Sequence, residues 1–252
     1  MKKAKKILAL LMCAVLLVGA SVAGTVAYLT SQDEVVNNFT VGQVKISLDE
    51  ARVDDNGDTV TGDNAGRVQT NNYRLLPGHE YDKDPTVHVT KGSEDCYVRM
   101  FVTITHDTAW NTICNNHKDE NGANKFGAEQ MFTGLSQAWT LHEIHKNEAG
   151  DNTRTYEFWY NTKVTDVPKD KDKDLTALFT GIKMPDELTN ADLAPLADDP
   201  ETKNKDEGFK IYIVAQAIQA DGFTDAAAAF GENGAPAITG TALMPGVDTT
   251  TP

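Results

Sequence analysis

Cysteine is scarce in this sequence, and its scarcity excludes a fold built on disulfides. Only Cys13, Cys96 and Cys114 occur among 252 residues, whereas small secreted domains that depend on disulfides are dense in them. Cys13 lies in an N-terminal apolar run, which leaves Cys96 and Cys114 as the one pair that could bridge in an oxidising compartment. Cys96 also begins an apolar strand pattern, so a buried structural thiol is the other interpretation.

Basic residues are also few. The chain has 23 Lys and Arg against 37 Asp and Glu, a formal net charge of −14. Loss of residues 1–27 would remove four lysines and no acid, so 19 basic residues would face 37 acidic ones, a net charge of −18. Such a surface repels nucleic acid and anionic lipid. It suits a secreted, soluble protein, whose membrane contact would come only through an uncleaved leader.

Catalytic motifs are absent from the sequence. It has no Gly-x-Ser-x-Gly elbow, no glycine loop for phosphate and no His-Glu-x-x-His zinc helix. We therefore predict no catalytic residue and no cofactor. The nearest pattern is His142-Glu143-Ile144-His145, which has i, i+3 spacing. In a strand, His142 and His145 would face opposite sides, so the sequence favours surface histidines over a metal site of His142, Glu143 and His145.

The leader is the most specific feature that is present. Four lysines occur within the first six residues, and an apolar run from Ile7 to Ala27 follows. The run ends in the small-residue sequence Gly24-Thr25-Val26-Ala27. This pattern predicts a secretory signal helix that is cleaved between Ala27 and Tyr28. The alternative is a permanent membrane anchor, since about 20 apolar residues can span a bilayer.

Alternating apolar residues dominate the rest of the chain and predict strands. In the strongest pattern, Cys96 to Thr105, Val98, Met100, Val102 and Ile104 share one face and Tyr97, Arg99, Phe101 and Thr103 share the other. The predicted strands are 35–48, 86–90, 96–105, 138–146, 153–164, 175–184 and 209–220. Short helices are predicted near 128–135, 186–194 and 225–230. Seven or eight strands with long loops indicate an all-β, antiparallel sandwich, in which 209–220 is expected to be a central strand.

These patterns also predict how the chain is divided. We expect a signal peptide over 1–27, a β-sandwich domain over 28–230 and a flexible tail over 231–252. Residues 106–137 interrupt the strand pattern and are interpreted as an insertion within the domain.

Several segments together resemble a known group of exported proteins. The junction Ala27-Tyr28-Leu29-Thr30-Ser31-Gln32-Asp33-Glu34, continuing to Val44, is similar to the start of Gram-positive proteins released by an alternate, SipW-type signal peptidase. Leu76-Pro77-Gly78, Cys96 to Ile104 and Ala215 to Ala220 fit the same group. It includes the TasA-like biofilm matrix fibre proteins, camelysin and an uncharacterised branch of alternate signal-mediated exported proteins.

This resemblance implies a jelly-roll-like sandwich that is exported to the cell surface or extracellular matrix of a Gram-positive bacterium. It also implies self-association into a homopolymer, or association with other matrix proteins, by β-strand addition. The exchangeable strand would lie within 28–40, a segment that has no proline to block pairing. Its apolar residues are Tyr28, Leu29, Val35, Val36 and Phe39. Pairing of this segment within its own subunit, or disorder, is the alternative.

Two other functions stay open from the sequence. The resemblance to camelysin implies a metal-dependent peptidase, with His142, Glu143 and His145 as the only ligand candidates. A surface adhesin or carbohydrate-binding module would instead present the rings of Trp110, Trp139 and Trp159. The expected partners are signal peptidase during export and further subunits thereafter, with no nucleic acid.

Overall fold

The computed structural model describes residues 43–146, 152–197 and 208–231. Contacts divide the chain between Val41 and Gly42, and every described residue belongs to the second part. The predicted signal peptide, its cleavage junction Ala27–Tyr28 and the candidate strand over 28–40 lie outside the described residues. So does the predicted tail, apart from Gly231. Among the described residues, no helix is long and apolar enough to cross a membrane.

The described part of the chain contains eleven strands and a few short helices. The strands are β1 Ile46–Ala51, β2 Arg67–Val68, β3 Glu80–Asp82, β4 Thr86–Val89, β5 Cys96–Thr105, β6 Phe132–Thr133, β7 Trp139–Lys146, β8 Thr153–Tyr160, β9 Lys173–Asp174, β10 Gly181–Lys183 and β11 Ile211–Gln219. The α-helices are α1 Asp107–Asn116, α2 Asn190–Leu193 and α3 Ala226–Phe230, and 3₁₀ turns cover Gly62–Asn64, Ala128–Met131 and Ala194–Leu196.

These strands form three sheets in which every pairing is antiparallel. One sheet has the order β11-β5-β8-β7, the second β2-β1-β4-β9 and the third β3-β10-β6. The prediction of an all-β, antiparallel fold is confirmed.

The longest strand, β5, lies at the centre of its sheet. It pairs with β11 from Cys96 to Ile104 and with β8 from Arg99 to Thr105. As predicted, Val98, Met100, Val102 and Ile104 share one face, and all four are fully buried in the main core with Val87 and Val89 of β4. The opposite face is also buried: Arg99, Phe101 and Thr103 are each at most 1 % exposed. A mixed polar and apolar face is buried here only because its polar groups find partners.

The hairpin of β7 and β8 and strand β4 lie close to their predicted positions, whereas other boundaries differ. The predicted strand over 35–48 is described only from residue 43. Strand β1 begins at Ile46 and continues beyond the predicted end to Ala51. The predicted strand over 175–184 is reduced to β10, because residues 175–180 run irregularly between β9 and β10. The predicted helix over 186–194 begins only at Asn190, where the Thr189 side chain caps α2 by accepting a hydrogen bond from the Asp192 backbone N–H.

Two expectations are corrected. Strand β11 was expected to be central, yet among the described strands it ends the order β11-β5-β8-β7. Its composition suggested a central strand because both of its faces are half-buried, although described strands pair with only one of its edges. Residues 106–137 also contain helix α1, which the sequence interpretation missed. Its buried residues Trp110, Ile113 and Cys114 have the i, i+3, i+4 spacing of a helix face, which was the available signal.

The two cysteines are free and buried, so the candidate bridge between Cys96 and Cys114 is not formed. The physical reason is the fully extended β5, which carries the chain about 30 Å from Cys96 before α1 begins. A disulfide requires Cα atoms within about 7 Å. Burial, with the charge of Asp95 adding to it, raises the pKa of the Cys96 thiol to about 11. Both cysteines therefore serve as small core residues.

Charged residues hold the outer side of the β2-β1-β4-β9 sheet together. Nε2 of His88 lies 2.8 Å from a carboxylate oxygen of Asp49, and its Nδ1 lies 2.7 Å from a carboxylate oxygen of Asp174. Burial disfavours the charge of His88, but the hydrogen bonds and charges of Asp174 and Asp49 outweigh it and raise the pKa of the imidazole. Protonated His88 therefore links three strands, because Asp49 lies in β1 and Asp174 in β9.

We predict that His88 makes the free energy of unfolding depend on pH above the ordinary histidine pKa of about 6.5. Because its pKa is raised on folding, its contribution is complete below the unfolded pKa of about 6.5. It is lost as the pH rises through the higher folded value. Urea unfolding of the wild type and of His88→Gln between pH 6 and pH 9 measures this, and the gap between the two proteins should shrink as pH rises. A gap that stays constant over this range would contradict the prediction.

Candidate functional site

A groove of about 1160 Å³ runs between β1 and β11. Apolar residues from both strands and from the region of β10 line it. Those of β1 and β11 are only partly buried against the main core, whereas Ile182 and Met184 belong to that core. The principal ones are Ile46, Leu48, Ile182, Met184, Ile211 and Ile213. The groove thus exposes an apolar strip between two sheets.

Strand β11 has an edge that no described strand pairs, and β1 has an edge that a described strand pairs only at its end. Strand β11 pairs with β5 along all nine of its residues on one edge, and nothing in the described ranges pairs with its other edge. Strand β1 pairs with β4 over Ile46–Asp49, while β2 meets only its last two residues, Glu50 and Ala51. Unpaired backbone N–H and C=O groups on a strand edge are a template for a further strand. The groove therefore offers apolar contacts and backbone hydrogen bonds together.

One end of the groove is polar and internally satisfied. Lys83 forms an ion pair with Glu50, and both side chains are only 8 % exposed. The amide nitrogen of Asn71 donates to a carboxylate oxygen of Glu50 at 3.0 Å and to the Ala51 carbonyl at 2.8 Å. The hydroxyl of Tyr81 accepts from the Leu76 backbone N–H at 2.8 Å. Because these groups have partners, an apolar segment in the groove would not have to satisfy them.

A second cluster lies on the outer face of the β7–β8 hairpin. Leu141 pairs with Phe158 and Glu143 pairs with Glu157, so His142 is one extra residue in β7, a β-bulge. The bulge reverses the alternation of side chains. His142 stacks on Trp159 with 3.7 Å between ring centroids, and His145 lies beside Glu157, two residues away on the same face of β8. The expectation that His142 and His145 face opposite sides is therefore wrong.

Glu157 is the centre of this cluster and is 3 % exposed. Its Oε1 accepts hydrogen bonds from Nε1 of Trp159 at 2.6 Å and from a guanidinium nitrogen of Arg99 at 3.1 Å. Its Oε2 lies 2.9 Å from Nε2 of His145. Burial disfavours the charge, but the hydrogen bonds from Trp159 and His145 and the charge of Arg99 outweigh it and hold the pKa of Glu157 below its ordinary value. The carboxylate is thus ionised at neutral pH.

The candidate metal ligands are only partly those named from the sequence. Glu143, His145 and Glu157 bring their ligand atoms within 4.8 Å of one another. His142 instead stacks on Trp159. The sequence analysis did not include Glu157 among the candidate ligands, because it lies 12 residues after His145. The available signal was the alternation of β8, whose Tyr156, Phe158 and Tyr160 share one face and leave Glu157 on the other.

The tryptophans do not form an exposed platform. Trp110 and Trp139 are 1 % and 5 % exposed, and the nitrogen of Trp139 donates to the Thr176 carbonyl at 2.8 Å. Trp159 is half-buried between His142 and Phe230. Two of the three rings proposed for an adhesin are therefore core residues.

No protein-family model matches this chain, and no curated protein or solved structure matches it either. The resemblance to SipW-type exported proteins therefore stays a prediction from the sequence segments quoted above.

We predict that Glu157→Gln destabilises the protein by about 3 kcal/mol at pH 7, because it removes the charged partner of buried Arg99. The lowered pKa of Glu157 means that the wild type loses this advantage as the pH falls from the ordinary Glu value, about 4.3, through the folded value. Urea unfolding of both proteins at pH 7 and pH 3 measures the difference, which should narrow at pH 3.

The matched control for this prediction is Glu143→Gln, because the Glu143 side chain is 59 % exposed. We expect it to change the free energy of unfolding by less than about 0.5 kcal/mol. If both substitutions changed the free energy of unfolding equally at pH 7, burial of the Glu157 charge would not be the cause of the destabilisation.

Proposed function

We propose that this protein is a secreted, non-enzymatic structural protein of the cell surface or extracellular matrix, whose subunits join by β-strand addition. The observation that carries the proposal is the groove between β1 and β11. It is an apolar strip bordered by an edge of β11 that no described strand pairs and by an edge of β1 that β2 meets only at Glu50 and Ala51. In this proposal the sheets form a jelly-roll-like sandwich, and residues 28–40 of one subunit enter the groove of the next after cleavage at Ala27–Tyr28.

The length and composition of the segment suit the groove. Thirteen residues over 28–40 would extend about 40 Å as a strand, enough to follow the nine residues of β11, which span about 30 Å. Tyr28, Leu29, Val35, Val36 and Phe39 supply apolar side chains, and no proline interrupts backbone pairing. Membrane insertion of the uncleaved leader would keep this segment from a neighbouring subunit.

The two ends of the β11-β5-β8-β7 sheet differ in a way that supports directional assembly. Strand β7 carries a bulge and the charged residues Glu143 and Lys146, features that discourage edge pairing. Strand β11 has the sequence IYIVAQAIQ, with no charge, no proline and no register shift against β5. A sheet that is protected at β7, and that no described strand extends at β11, would accept a further strand on one side only.

The second candidate is a metal-dependent peptidase, and the cluster of Glu143, His145 and Glu157 is the observation that favours it. Catalytic zinc sites use three protein ligands, and metalloproteases of the His-Glu-x-x-His type add a glutamate as general base. If Glu143 acted as the base, only His145 and Glu157 would hold the metal. This shortage favours the structural function, and chelator-sensitive proteolysis by the purified protein would reverse that choice.

We predict that the chain beginning at Tyr28 forms polymers, whereas a chain beginning at Gly42 stays monomeric because it lacks the added strand. Electron microscopy and sedimentation velocity measure assembly, and a peptide of residues 28–41 should bind the shorter chain. Persistent monomers of the longer chain under all salt conditions, with residues 28–40 protected from proteolysis, would mean that the segment pairs in its own subunit.

We also predict that Ile213→Lys abolishes assembly by placing a charge in the groove. The matched control is Ile144→Lys, because Ile144 is 41 % exposed on β7 at the other end of the sheet. Circular dichroism confirms that both variants fold. Polymers formed equally by both variants would exclude the groove as the assembly site.

A further inference from the structure

We propose that Glu143, His145 and Glu157 bind a divalent transition-metal cation of the zinc class on the outer face of the β7–β8 hairpin. This site is distinct from the groove, which borders the opposite end of the same sheet. Its role would be to hold the edge strand β7 on β8, and it requires neither polymerisation nor catalysis.

The distances suit such an ion. Nε2 of His145 lies 2.9 Å from Oε2 of Glu157 and 3.9 Å from Oε2 of Glu143, and one ligand atom from each residue lies within 4.8 Å of the others. Zinc bonds to nitrogen and oxygen are about 2.0 Å long, so tetrahedral ligands of one ion are separated by about 3.3 Å. Small side-chain rotations therefore bring the three atoms into coordination distance, and water would take the fourth position.

The register of the hairpin gives an electrostatic reason for a cation to bind here. Glu143 and Glu157 are directly opposite each other across the strands, and like charges in that position destabilise a sheet. His145 is within hydrogen-bond distance of Glu157 but not of Glu143, from which its Nε2 is 3.9 Å away. It therefore relieves the repulsion between the two carboxylates only in part. A cation between the carboxylates would replace their repulsion with attraction to both. The bulge at His142 creates this arrangement, because it turns Glu143 and His145 to the side of Glu157.

The surroundings of Glu157 orient it as a ligand. Trp159 and Arg99 both donate to Oε1, which fixes the carboxylate and leaves Oε2 directed toward His145. Hydrogen bonds of this kind orient the ligands in protein metal sites. The positive charge of Arg99 lies on the other side of the Glu157 carboxylate and lowers the affinity of the site for a cation. The negative charge of Glu143 offsets part of this effect.

The site is reachable from solvent. The Glu143 side chain is 59 % exposed and that of His145 is 16 % exposed, so an ion could enter past Glu143. The donor set of one imidazole and two carboxylates suits zinc, whereas Ca²⁺ takes six to eight oxygen ligands. We therefore expect binding of Zn²⁺, with Co²⁺ as a spectroscopic substitute, in preference to Ca²⁺ or Mg²⁺.

The test is isothermal titration of the protein beginning at Tyr28 with zinc chloride. We expect one ion per chain, an increase of the melting temperature with zinc, and affinity that falls about tenfold or more in Glu143→Gln and in His145→Ala. Glu143→Gln changes an exposed residue and should fold normally, so its loss of binding cannot be attributed to unfolding. Cobalt binding should give visible absorption bands that the same two variants lose.

His142→Ala is the matched control, because His142 stacks on Trp159 and is not one of the three ligands. It should retain zinc affinity within about threefold. Binding that is lost in His142→Ala but kept in Glu143→Gln would overturn the proposal, as would equal binding by the wild type and the double variant Glu143→Gln, His145→Ala. Failure to bind zinc below 100 µM would do the same. Assembly is measured separately, so either proposal can fail while the other stands.

Discussion

The burial of both faces of β5 is the constraint on which the described structure depends. One face contributes Val98, Met100, Val102 and Ile104 to the main core. The other buries Arg99, whose desolvation would cost several kcal/mol without partners. Gln216 from β11 and Glu157 from β8 both accept hydrogen bonds from the guanidinium. The Arg99 side chain thus links the three adjacent strands β11, β5 and β8, in the register that lets both partners reach the guanidinium.

Further polar contacts extend from Arg99 and Glu157 across the same face of the sheet. Thr103 and Thr155 share a hydrogen bond of 2.8 Å between their hydroxyls. Glu157 also forms hydrogen bonds with His145 and Trp159. The ring of Phe230 in α3 packs 4.5 Å from the guanidinium carbon of Arg99, and Trp159 packs against the same ring. The buried charge of Arg99 is thus surrounded by aromatic and polar side chains. Those neighbours then bring Glu157 to the position where Glu143 and His145 meet it.

The two ends of the β11-β5-β8-β7 sheet have opposite chemistry. At β11 the edge is apolar and adjoins the groove; at β7 it is bulged and carries the acidic and imidazole groups. Edge strands that must not pair are protected by bulges and charges, and those that must pair are not. Assembly and cation binding would therefore use different ends of one sheet, with β5 and β8 between them.

The sequence by itself determined the elements whose signal is local. The alternation in Cys96 to Thr105 predicted β5 and both of its faces, and the hairpin of β7 and β8 followed from alternation around a turn. Only the tertiary structure decided the features that depend on a partner distant in the chain. The bulge at His142 is visible only against the register of β8, so the shared face of His142 and His145 and the ligand position of Glu157 could not be deduced. For the same reason the sequence could not show that β11 has an edge that no described strand pairs. Composition indicates how apolar a strand is, whereas the strands that pair with it depend on packing across the whole domain.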